Sequence, residues 1–363
     1  MRSCSWWASL QKGVVGRFPP RYRRGARDGV FYAESVPRKT PLVIGHRGAP
    51  GYRPEHSRSS YELALAMGVD AVEPDVVATK DGVLVVRHEN EISGTTDVAE
   101  HPEFADRRTT KRVDGQALTG WFTEDFTWDE LSTLRGRERL PEVRATSASF
   151  DGGQPILRLV DLLDLVRRGS VEHGREIGVV LEVKHATYFA SIGLDLVPLI
   201  ERDLRAAGWA DGELPLIIEC FEQTVLGQLR ARGIPASYIY LIESSGRPYD
   251  QLVAHGKRAL TYKATVAPRG LNGLIGSVDG ISVSKKMLLA HGNTIVADAH
   301  ARGLKVFTWT CRPENAFLAP EFRGDGGKGA FGDYEAEWGV IARQGIDGVF
   351  VDHPDLGVAF FRG

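Results

Sequence analysis

Residues 42–76 read LVIGHRGAPGYRPEHSRSSYELALAMGVDAVEPDV. The apolar runs at 42–46 and 71–76 have the composition of buried β-strands, and the apolar residues of 57–67 recur at helical spacing. A connection that contains a helix joins parallel strands. This stretch therefore predicts one strand–helix–strand unit of a parallel sheet.

The same alternation continues to the end of the chain. Strand candidates lie at 42–46, 71–76, 177–183, 216–220, 237–241, 280–283, 305–309 and 347–351, with helix candidates at 57–67, 156–168, 194–207, 224–232, 294–302 and 334–343. Strands and helices in this order predict a closed parallel barrel, the (β/α)8 or TIM barrel, over residues 41–363. In this fold the polar residues at the C-terminal ends of the strands line the active site.

The composition is that of a globular protein with a basic leader. Of the 363 residues, 42% are hydrophobic and 25% are charged, and the net charge is −2. Residues 1–40 contain nine Lys or Arg and two Asp or Glu, which predicts a mobile leader. The acidic remainder argues against nucleic-acid binding.

We expect no transmembrane segment, because no stretch approaches the roughly 18 apolar residues that a spanning helix needs. The N-terminus lacks the continuous apolar core of a signal peptide, so the default expectation is a cytoplasmic protein. A secreted or periplasmic protein is expected only if the start of the chain is misassigned.

A further strand candidate at 83–87 follows 71–76 too closely for a parallel crossover. The Lys-Asp-Gly sequence at 80–82 supplies a turn, so the two strands are expected to form an antiparallel hairpin. Counting back from the turn places His88 opposite Pro74. Proline has no N–H group, so Pro74 is expected where the strand donates no ladder hydrogen bond, for instance at a bulge.

Three carboxylates are predicted to meet near the C-terminal rim of the barrel. Glu73 and Asp75 are two residues apart and share one face of their strand, and Glu182 lies on the next parallel strand. A divalent cation would relieve their mutual repulsion, and ligands that are all oxygen atoms favour magnesium or calcium over zinc. The sequence therefore predicts one such ion at these three residues.

Two histidines end neighbouring elements beside these carboxylates. His46 ends the first strand and His88 ends the hairpin, so the two imidazoles can act as acid and base. Arg47 and Lys184 add cations on the same side that suit a phosphate group. Two proton carriers, a metal ion and two cations together favour phosphodiester cleavage.

The residues named so far fall within motifs that resemble the glycerophosphodiester phosphodiesterase family, and most closely its longer, periplasmic-type branch. The motifs are HRGA at 46–49, RPEHS at 53–57, EPDV at 73–76, TKDG at 79–82, VVRH at 85–88, GTTDV at 94–98, LEVK at 181–184 and DGVFVDHP at 347–354. The resemblance implies a small insertion at about 89–155. It also implies His46 and His88 as the acid/base pair, Glu73, Asp75 and Glu182 as metal ligands, Arg47 and Lys184 as phosphate contacts, and Glu55 as a supporting residue.

Three features bear on the substrate pocket. The resemblance makes Phe221 and Trp309, at the ends of strands four and seven, an apolar wall of the pocket, although ordinary core packing explains them equally well. The glycine-rich loop 323–333 follows strand seven, where it is either a lid over the barrel mouth or an ordinary surface loop. The chain departs from the family pattern at Glu89-Asn90, where an Asp is usual, and at Pro74, between two acidic ligands. These departures put the substrate preference in doubt more than the activity.

The expected function is metal-dependent hydrolysis of glycerophosphodiesters to sn-glycerol 3-phosphate and an alcohol. In the mechanism that the resemblance implies, the glycerol hydroxyl attacks phosphorus, one histidine acts as base, the other protonates the alcohol, and water opens the cyclic phosphate. Two alternatives stay open: a phospholipase D-like enzyme acting on lysophospholipids or sphingomyelin, and a non-catalytic barrel that binds phosphodiesters. The full set of histidines and carboxylates argues against the non-catalytic barrel.

Overall fold

A computed structural model describes residues 40–363, so the predicted leader lies, apart from Thr40, outside the described residues. The strands are β1 Leu42–His46, β2 Ala71–Glu73, β3 Asp75–Ala78, β4 Leu84–Val86, β5 Thr109–Val113, β6 Gln116–Gly120, β7 Arg135–Gly136, β8 Gln154–Pro155, β9 Gly178–Val183, β10 Leu216–Cys220, β11 Ser237–Ile242, β12 Gly280–Ser284, β13 Lys305–Cys311 and β14 Gly348–Val351. Among these residues, β1, β2 and β9 to β14 pair in parallel, and β14 pairs back to β1 to close the ring. The predicted TIM barrel is confirmed.

Helices follow most of the barrel strands. They are α1 Arg58–Ala66, α2 Trp128–Leu131, α3 Ala145–Ala148, α4 Leu159–Glu172, α5 Ala186–Ser191, α6 Leu196–Ala206, α7 Gln223–Ala231, α8 Tyr249–His255, α9 Tyr262–Thr265, α10 Pro268–Asn272, α11 Lys285–Leu289, α12 Ile295–His300, α13 Tyr334–Ala342 and α14 Pro354–Arg362. The six predicted helices correspond to α1, α4, α6, α7, α12 and α13, and α1 begins where the Ser57 side chain caps the Ser60 N–H group. Within residues 40–363, every helix is too short or too polar to cross a bilayer.

Pro74 divides the second barrel strand into β2 and β3. Both parts pair with β9, and the Pro74 carbonyl accepts a hydrogen bond from the Glu182 N–H group (2.9 Å). β4 runs antiparallel to β3, so the predicted hairpin is confirmed. The Arg87 N–H group donates to the Asp75 carbonyl (3.0 Å), which brings the following residue, His88, beside the interrupted strand.

Residues 89–155, between the hairpin and α4, contain β5 to β8 and the short helices α2 and α3. β5 and β6 form a tight hairpin whose turn is Asp114-Gly115, with φ values of 46° and 82°. An Asp-Gly pair with positive φ at both positions is the usual chemistry of such a turn. Asp114, Arg139 and Arg144 of this segment contact residues of the barrel mouth.

The barrel interior has an apolar layer beneath a polar one. The apolar cluster consists of Ile44, Ala71, Val180, Ile239, Phe307 and Phe350. Ile44 lies two residues before His46, and Val180 lies two residues before Glu182, so each pair shares the inner face of its strand. The polar layer is therefore held on a packed support.

Candidate active site

Polar side chains line a cavity of about 760 Å³ at the C-terminal ends of the strands. His46 ends β1, Glu73 ends β2, Glu182 lies near the end of β9, and Glu219 lies near the end of β10. All four are buried. The cavity has the size of a small-molecule site, and its floor is made of titratable groups.

Glu73, Glu182 and Glu219 form a carboxylate cluster, in which one oxygen of each lies within 4.8 Å of the others. Burial, together with the neighbouring carboxylates, raises the pKa of Glu73 and Glu219 well above the usual range. Burial also raises the pKa of Glu182 to about 8. Three carboxylates held this close repel one another when ionised, so the cluster suits a divalent cation.

Asp75, the third predicted metal ligand, lies at the edge of this cluster. Its Oδ2 accepts a hydrogen bond from His56 Nε2 (2.8 Å) and lies 3.5 Å from Arg47 Nε, while its Oδ1 lies 3.7 Å from Lys184 Nζ. Burial disfavours the charge of Asp75, but the neighbouring cations, Lys184 first among them, outweigh burial and hold its pKa well below the usual range. The sequence predicted Asp75 as the third carboxylate, whereas the structure places Glu219 in the cluster.

The His46 imidazole is held by Asp352, which follows β14. His46 Nδ1 lies 2.6 Å from Asp352 Oδ1, and Asp352 Oδ2 accepts from Arg144 Nη2 (2.6 Å) and Arg312 Nε (2.5 Å). Burial disfavours the charge of Asp352, but the two arginines outweigh burial and hold its pKa well below the usual range. An ionised carboxylate only accepts hydrogen bonds, so Nδ1 carries the proton and Nε2 is the basic nitrogen. Burial, followed by Arg47, lowers the pKa of His46 to about 4, so the imidazole is neutral at pH 7.

His88 has the same arrangement with a different partner. Its Nδ1 lies 2.7 Å from Glu89 Oε1, and Glu89 Oε2 lies 3.1 Å from His185 Nε2. Burial, then Arg47 and Lys184, lowers the pKa of His88 to about 3. Both His46 and His88 line the cavity, and in each the carboxylate partner leaves Nε2 as the basic nitrogen.

Arg47 and Lys184 also line the cavity and are both held by carboxylates. Arg47 Nη1 donates to the two oxygens of Glu55 (3.1 and 3.0 Å), and Arg139 Nε donates to Glu55 Oε2 (3.0 Å). Lys184 Nζ donates to Glu182 Oε1 (2.8 Å). Glu55 therefore holds Arg47 in place, and Glu182 of the carboxylate cluster holds Lys184.

This arrangement accompanies a match of residues 46–356 to the glycerophosphoryl diester phosphodiesterase family. The chain belongs to this family. It is 29% identical over 331 residues to the glycerophosphodiester phosphodiesterase GDPD6 of Arabidopsis thaliana, a match that covers 86% of this chain and 83% of the relative. It is 24% identical over 352 residues to the glycerophosphodiester phosphodiesterase of Haemophilus influenzae, covering 89% and 90% of the two chains.

The fold of this phosphodiesterase is also that of a solved structure, an Oleispira antarctica phosphodiesterase in complex with the product sn-glycerol-3-phosphate. The TM-score is 0.60 at 19% identity, with 89% of this chain and 98% of the other covered. The prediction of a glycerophosphodiester phosphodiesterase is confirmed. A non-catalytic barrel, which the sequence left open, is not supported.

One wall of the phosphodiesterase cavity is apolar. The rings of Phe221 and Trp309 meet edge to face with their centroids 5.6 Å apart, and both line the cavity. The Trp309 Nε1–H group donates to the Ser282 carbonyl (3.2 Å), which fixes the ring. Leu289 and Leu318 extend the same lining. The two aromatic residues thus pack on the core and also face the cavity.

The glycine-rich loop 323–333 lies at the same end of the barrel, and Arg323 lines the cavity. The Asn315 side-chain amide donates to two carbonyls of the loop. A Cβ atom at Gly329 would lie 2.6 Å from the Val143 carbonyl oxygen, so the loop packs closely on its neighbour. A lid function for the loop stays a prediction.

Sequence reasoning missed several residues of the site, among them Glu219 and Asp352. Glu219 carried a signal, because it lies on the predicted strand 216–220 and pairs in register with Glu182. Asp352 lies in the DGVFVDHP motif but was given no role. Its 306-residue separation from His46 hides the contact until the barrel closes.

Proposed function

We propose that this phosphodiesterase hydrolyses glycerophosphodiesters to sn-glycerol 3-phosphate and an alcohol, with His46 and His88 as the acid/base pair and a divalent cation at the carboxylates. The observation that carries the proposal is the matched state of the two imidazoles. His46 Nδ1 donates to Asp352, His88 Nδ1 lies 2.7 Å from Glu89, and both imidazoles line the same cavity with Nε2 as the basic nitrogen. Displacement at phosphorus requires one group to accept a proton and another to donate one. The relatives and the complex with sn-glycerol-3-phosphate support this substrate class.

The carboxylates fit a hard divalent cation, calcium or magnesium. Asp75 Oδ1 and Glu219 Oε2 are buried without a hydrogen-bond partner within the described residues, and the pKa values of Glu73 and Glu182 are raised, mainly by burial. We assign Glu73, Glu182 and Glu219 as ligands, with Asp75 beside Glu182 at the edge of the cluster. When bound, the cation stabilises negative charge that develops on the phosphate.

The two histidines divide the proton transfers. One neutral imidazole accepts the proton of the glycerol hydroxyl at Nε2 while the hydroxyl oxygen bonds to phosphorus. The bond from phosphorus to the alcohol oxygen breaks, and the other imidazole, in its protonated form, gives its proton to that oxygen. Water then opens the cyclic phosphate, and the two histidines exchange roles.

The surroundings of the imidazoles suit both roles. The lowered pKa values of His46 and His88, caused mainly by burial, supply a neutral base at pH 7. An anionic phosphate beside an imidazole favours its protonated form, which supplies the acid once the substrate is bound. Asp352 and Glu89 stabilise the imidazolium at Nδ1.

The remaining residues of the cavity bind the two ends of the substrate. Arg47 and Lys184 contact the phosphate oxygens, because both line the cavity and both are cations beside His88. Phe221 and Trp309 lie along the apolar wall and contact the alcohol group. The ring faces give this alcohol a weak, shape-dependent contact.

A substrate panel tests the proposal. The full chain, with calcium or magnesium, is incubated with glycerophosphocholine, lysophosphatidylcholine and sphingomyelin, and both glycerol 3-phosphate and choline are quantified. We expect equimolar glycerol 3-phosphate and choline from glycerophosphocholine, and at least about 10²-fold slower release of both from the His88→Ala variant. If choline is released from lysophosphatidylcholine and sphingomyelin but not from glycerophosphocholine, the proposal is overturned in favour of a phospholipase D-like activity.

A further inference from the structure

A series of contacts between four side chains connects the β5–β6 hairpin to His88. Asp114 Oδ2, at the hairpin turn, lies 2.6 Å from His185 Nδ1, and His185 Nε2 lies 3.1 Å from Glu89 Oε2. The other oxygen of Glu89, Oε1, lies 2.7 Å from His88 Nδ1. Carboxylates and imidazoles alternate along this series, so an imidazole nitrogen faces a carboxylate oxygen at each contact.

Both nitrogens of His185 face carboxylates. A neutral imidazole has only one N–H group and satisfies one of these partners, whereas the imidazolium satisfies both. Burial disfavours this cation, but the hydrogen bonds to Asp114 and Glu89 outweigh burial and raise the pKa of His185 to about 9. At neutral pH, His185 is therefore a cation between two anions.

The backbone positions both ends of this contact. His185 has φ of 52°, a left-handed conformation that is uncommon for a residue with a side chain, and it directly follows the cavity residue Lys184. Asp114 has φ of 46°, which the Asp-Gly turn of the hairpin accommodates. Two unusual backbone positions thus meet at one ion pair.

Glu89 needs such support. Its side chain is 41% exposed, whereas the corresponding partner of His46, Asp352, is buried between two arginines. A half-exposed glutamate rotates freely unless a second group holds it. His185 holds one carboxylate oxygen and leaves the other on His88.

We propose that Asp114 and His185 are positioning residues for His88, so that the β5–β6 hairpin is part of the catalytic apparatus. Asp114 fixes the His185 cation, His185 fixes Glu89, and Glu89 keeps the proton of His88 on Nδ1, which leaves Nε2 for the substrate. This inference rests on the proposed acid/base role of His88. It gives the segment of residues 89–155 a function in catalysis.

Two variants of the full chain, with calcium present, test the inference: Asp114→Asn and His185→Gln. Each should lower kcat by about 10-fold or more, the usual range for residues that orient a functional histidine. KM should change by less than about 2-fold, because neither residue is among the proposed phosphate contacts. Thr119→Ala is the matched control, since Thr119 is exposed on the same hairpin and bonds only Thr110 there; its kcat should equal that of the unmodified chain.

Nitrogen-15 NMR of the imidazoles supplies the second readout. In the unmodified chain His88 should be protonated at Nδ1, and in Asp114→Asn the two tautomers should mix; the signal is assigned by its loss in His88→Ala. Unchanged kcat in both positioning variants, or a lowered kcat with an unchanged His88 tautomer, would overturn the inference. Full activity of His88→Ala would instead overturn the proposed function itself.

Discussion

His46 and His88 share one arrangement but are supported in different ways. The carboxylate of His46 is Asp352, which is buried and receives hydrogen bonds from Arg144 and Arg312. The carboxylate of His88 is the next residue in the chain, Glu89, which is 41% exposed. One histidine is supported from the interior of the barrel and the other from its rim.

This difference indicates that the residues supporting His46 contribute to both catalysis and stability. Arg144 also donates to Glu314 (2.8 Å), so the support of His46 is a network in which Asp352, Glu314 and Arg144 are buried and Arg312 is partly exposed. Removing one member leaves a buried charge without its partner, which is strongly destabilising. The support of His88 is more exposed, so changes there should affect the reaction more than the fold.

Removal of the divalent cation should have the largest effect, because the proposed cation would stabilise the negative charge that develops on the phosphate in both steps of the reaction. Excess chelator should abolish turnover, and calcium or magnesium should restore it. Turnover is measured as glycerol 3-phosphate released from glycerophosphocholine. Full turnover in excess chelator would show that the reaction does not need the divalent cation and depends on the histidines and their supports.

Matched substitutions at the two carboxylates compare the supports directly. Asp352→Asn should lower kcat by about 10³-fold, because the amide can donate to Nδ1 and so favours the wrong tautomer. It should also lower the free energy of unfolding by about 3 kcal/mol, since the arginines lose a buried partner.

The second half of this comparison is Glu89→Gln. It should lower kcat by about 10-fold and lower the free energy of unfolding by less than Asp352→Asn does, because Glu89 is half exposed. Urea unfolding and steady-state kinetics of both variants measure the two quantities. Equal losses of stability in Asp352→Asn and Glu89→Gln would contradict the distinction between interior and rim.

Glu219→Gln should have a smaller effect, confined to the metal. We expect calcium affinity, measured by titration calorimetry, to fall about 10-fold, because the cluster loses one anionic ligand. Glu243→Gln is the control, since Glu243 lines the same cavity but lies outside the carboxylate cluster. Equal affinities of Glu219→Gln and the unmodified chain would return the third ligand position to Asp75.

The smallest expected effect is on the pH dependence of stability, which should differ between the supports of His46 and His88. The pKa of His185 is raised from 6.5 to about 9, so its contribution to stability is complete below pH 6.5 and is lost as the pH rises through 9. The pKa of Asp352 is lowered below 3.8, so its contribution is complete above that value and is lost in acid. The difference in unfolding free energy between the unmodified chain and His185→Gln should therefore shrink from pH 6 to pH 10. A constant difference would show that His185 carries no charge in the folded protein.

The barrel was predictable from the sequence because its signals are local. Each barrel strand is a short apolar run, and even the position of Pro74 followed from its missing N–H group, since it falls in the break between β2 and β3. The helix boundaries were less exact: the predicted helix 156–168 begins at Leu159 and extends to Glu172. Helix ends depend on caps and packing that apolar spacing does not record.

The site was predictable where its residues end successive strands, as for His46, Glu73 and Glu182. The supports of the histidines were not, because Arg144 and Asp114 lie in a segment of weak periodicity and reach the site only through tertiary contacts. Glu89 was noticed as a departure from the family pattern, but its contact with His185 spans 96 residues. Local sequence therefore indicated the proposed acid/base and ligand residues but not the residues that orient them.

The most direct test of the account is kcat for His46→Ala, His88→Ala and the double variant, measured with saturating glycerophosphocholine and calcium. If the two histidines act as one acid/base pair, each single variant should lose at least about 10²-fold, and the double variant should be little worse than either. Thermal unfolding of the three variants checks that they are folded at the assay temperature. Losses that multiply in the double variant, or a near-normal kcat in either single variant, would contradict the account.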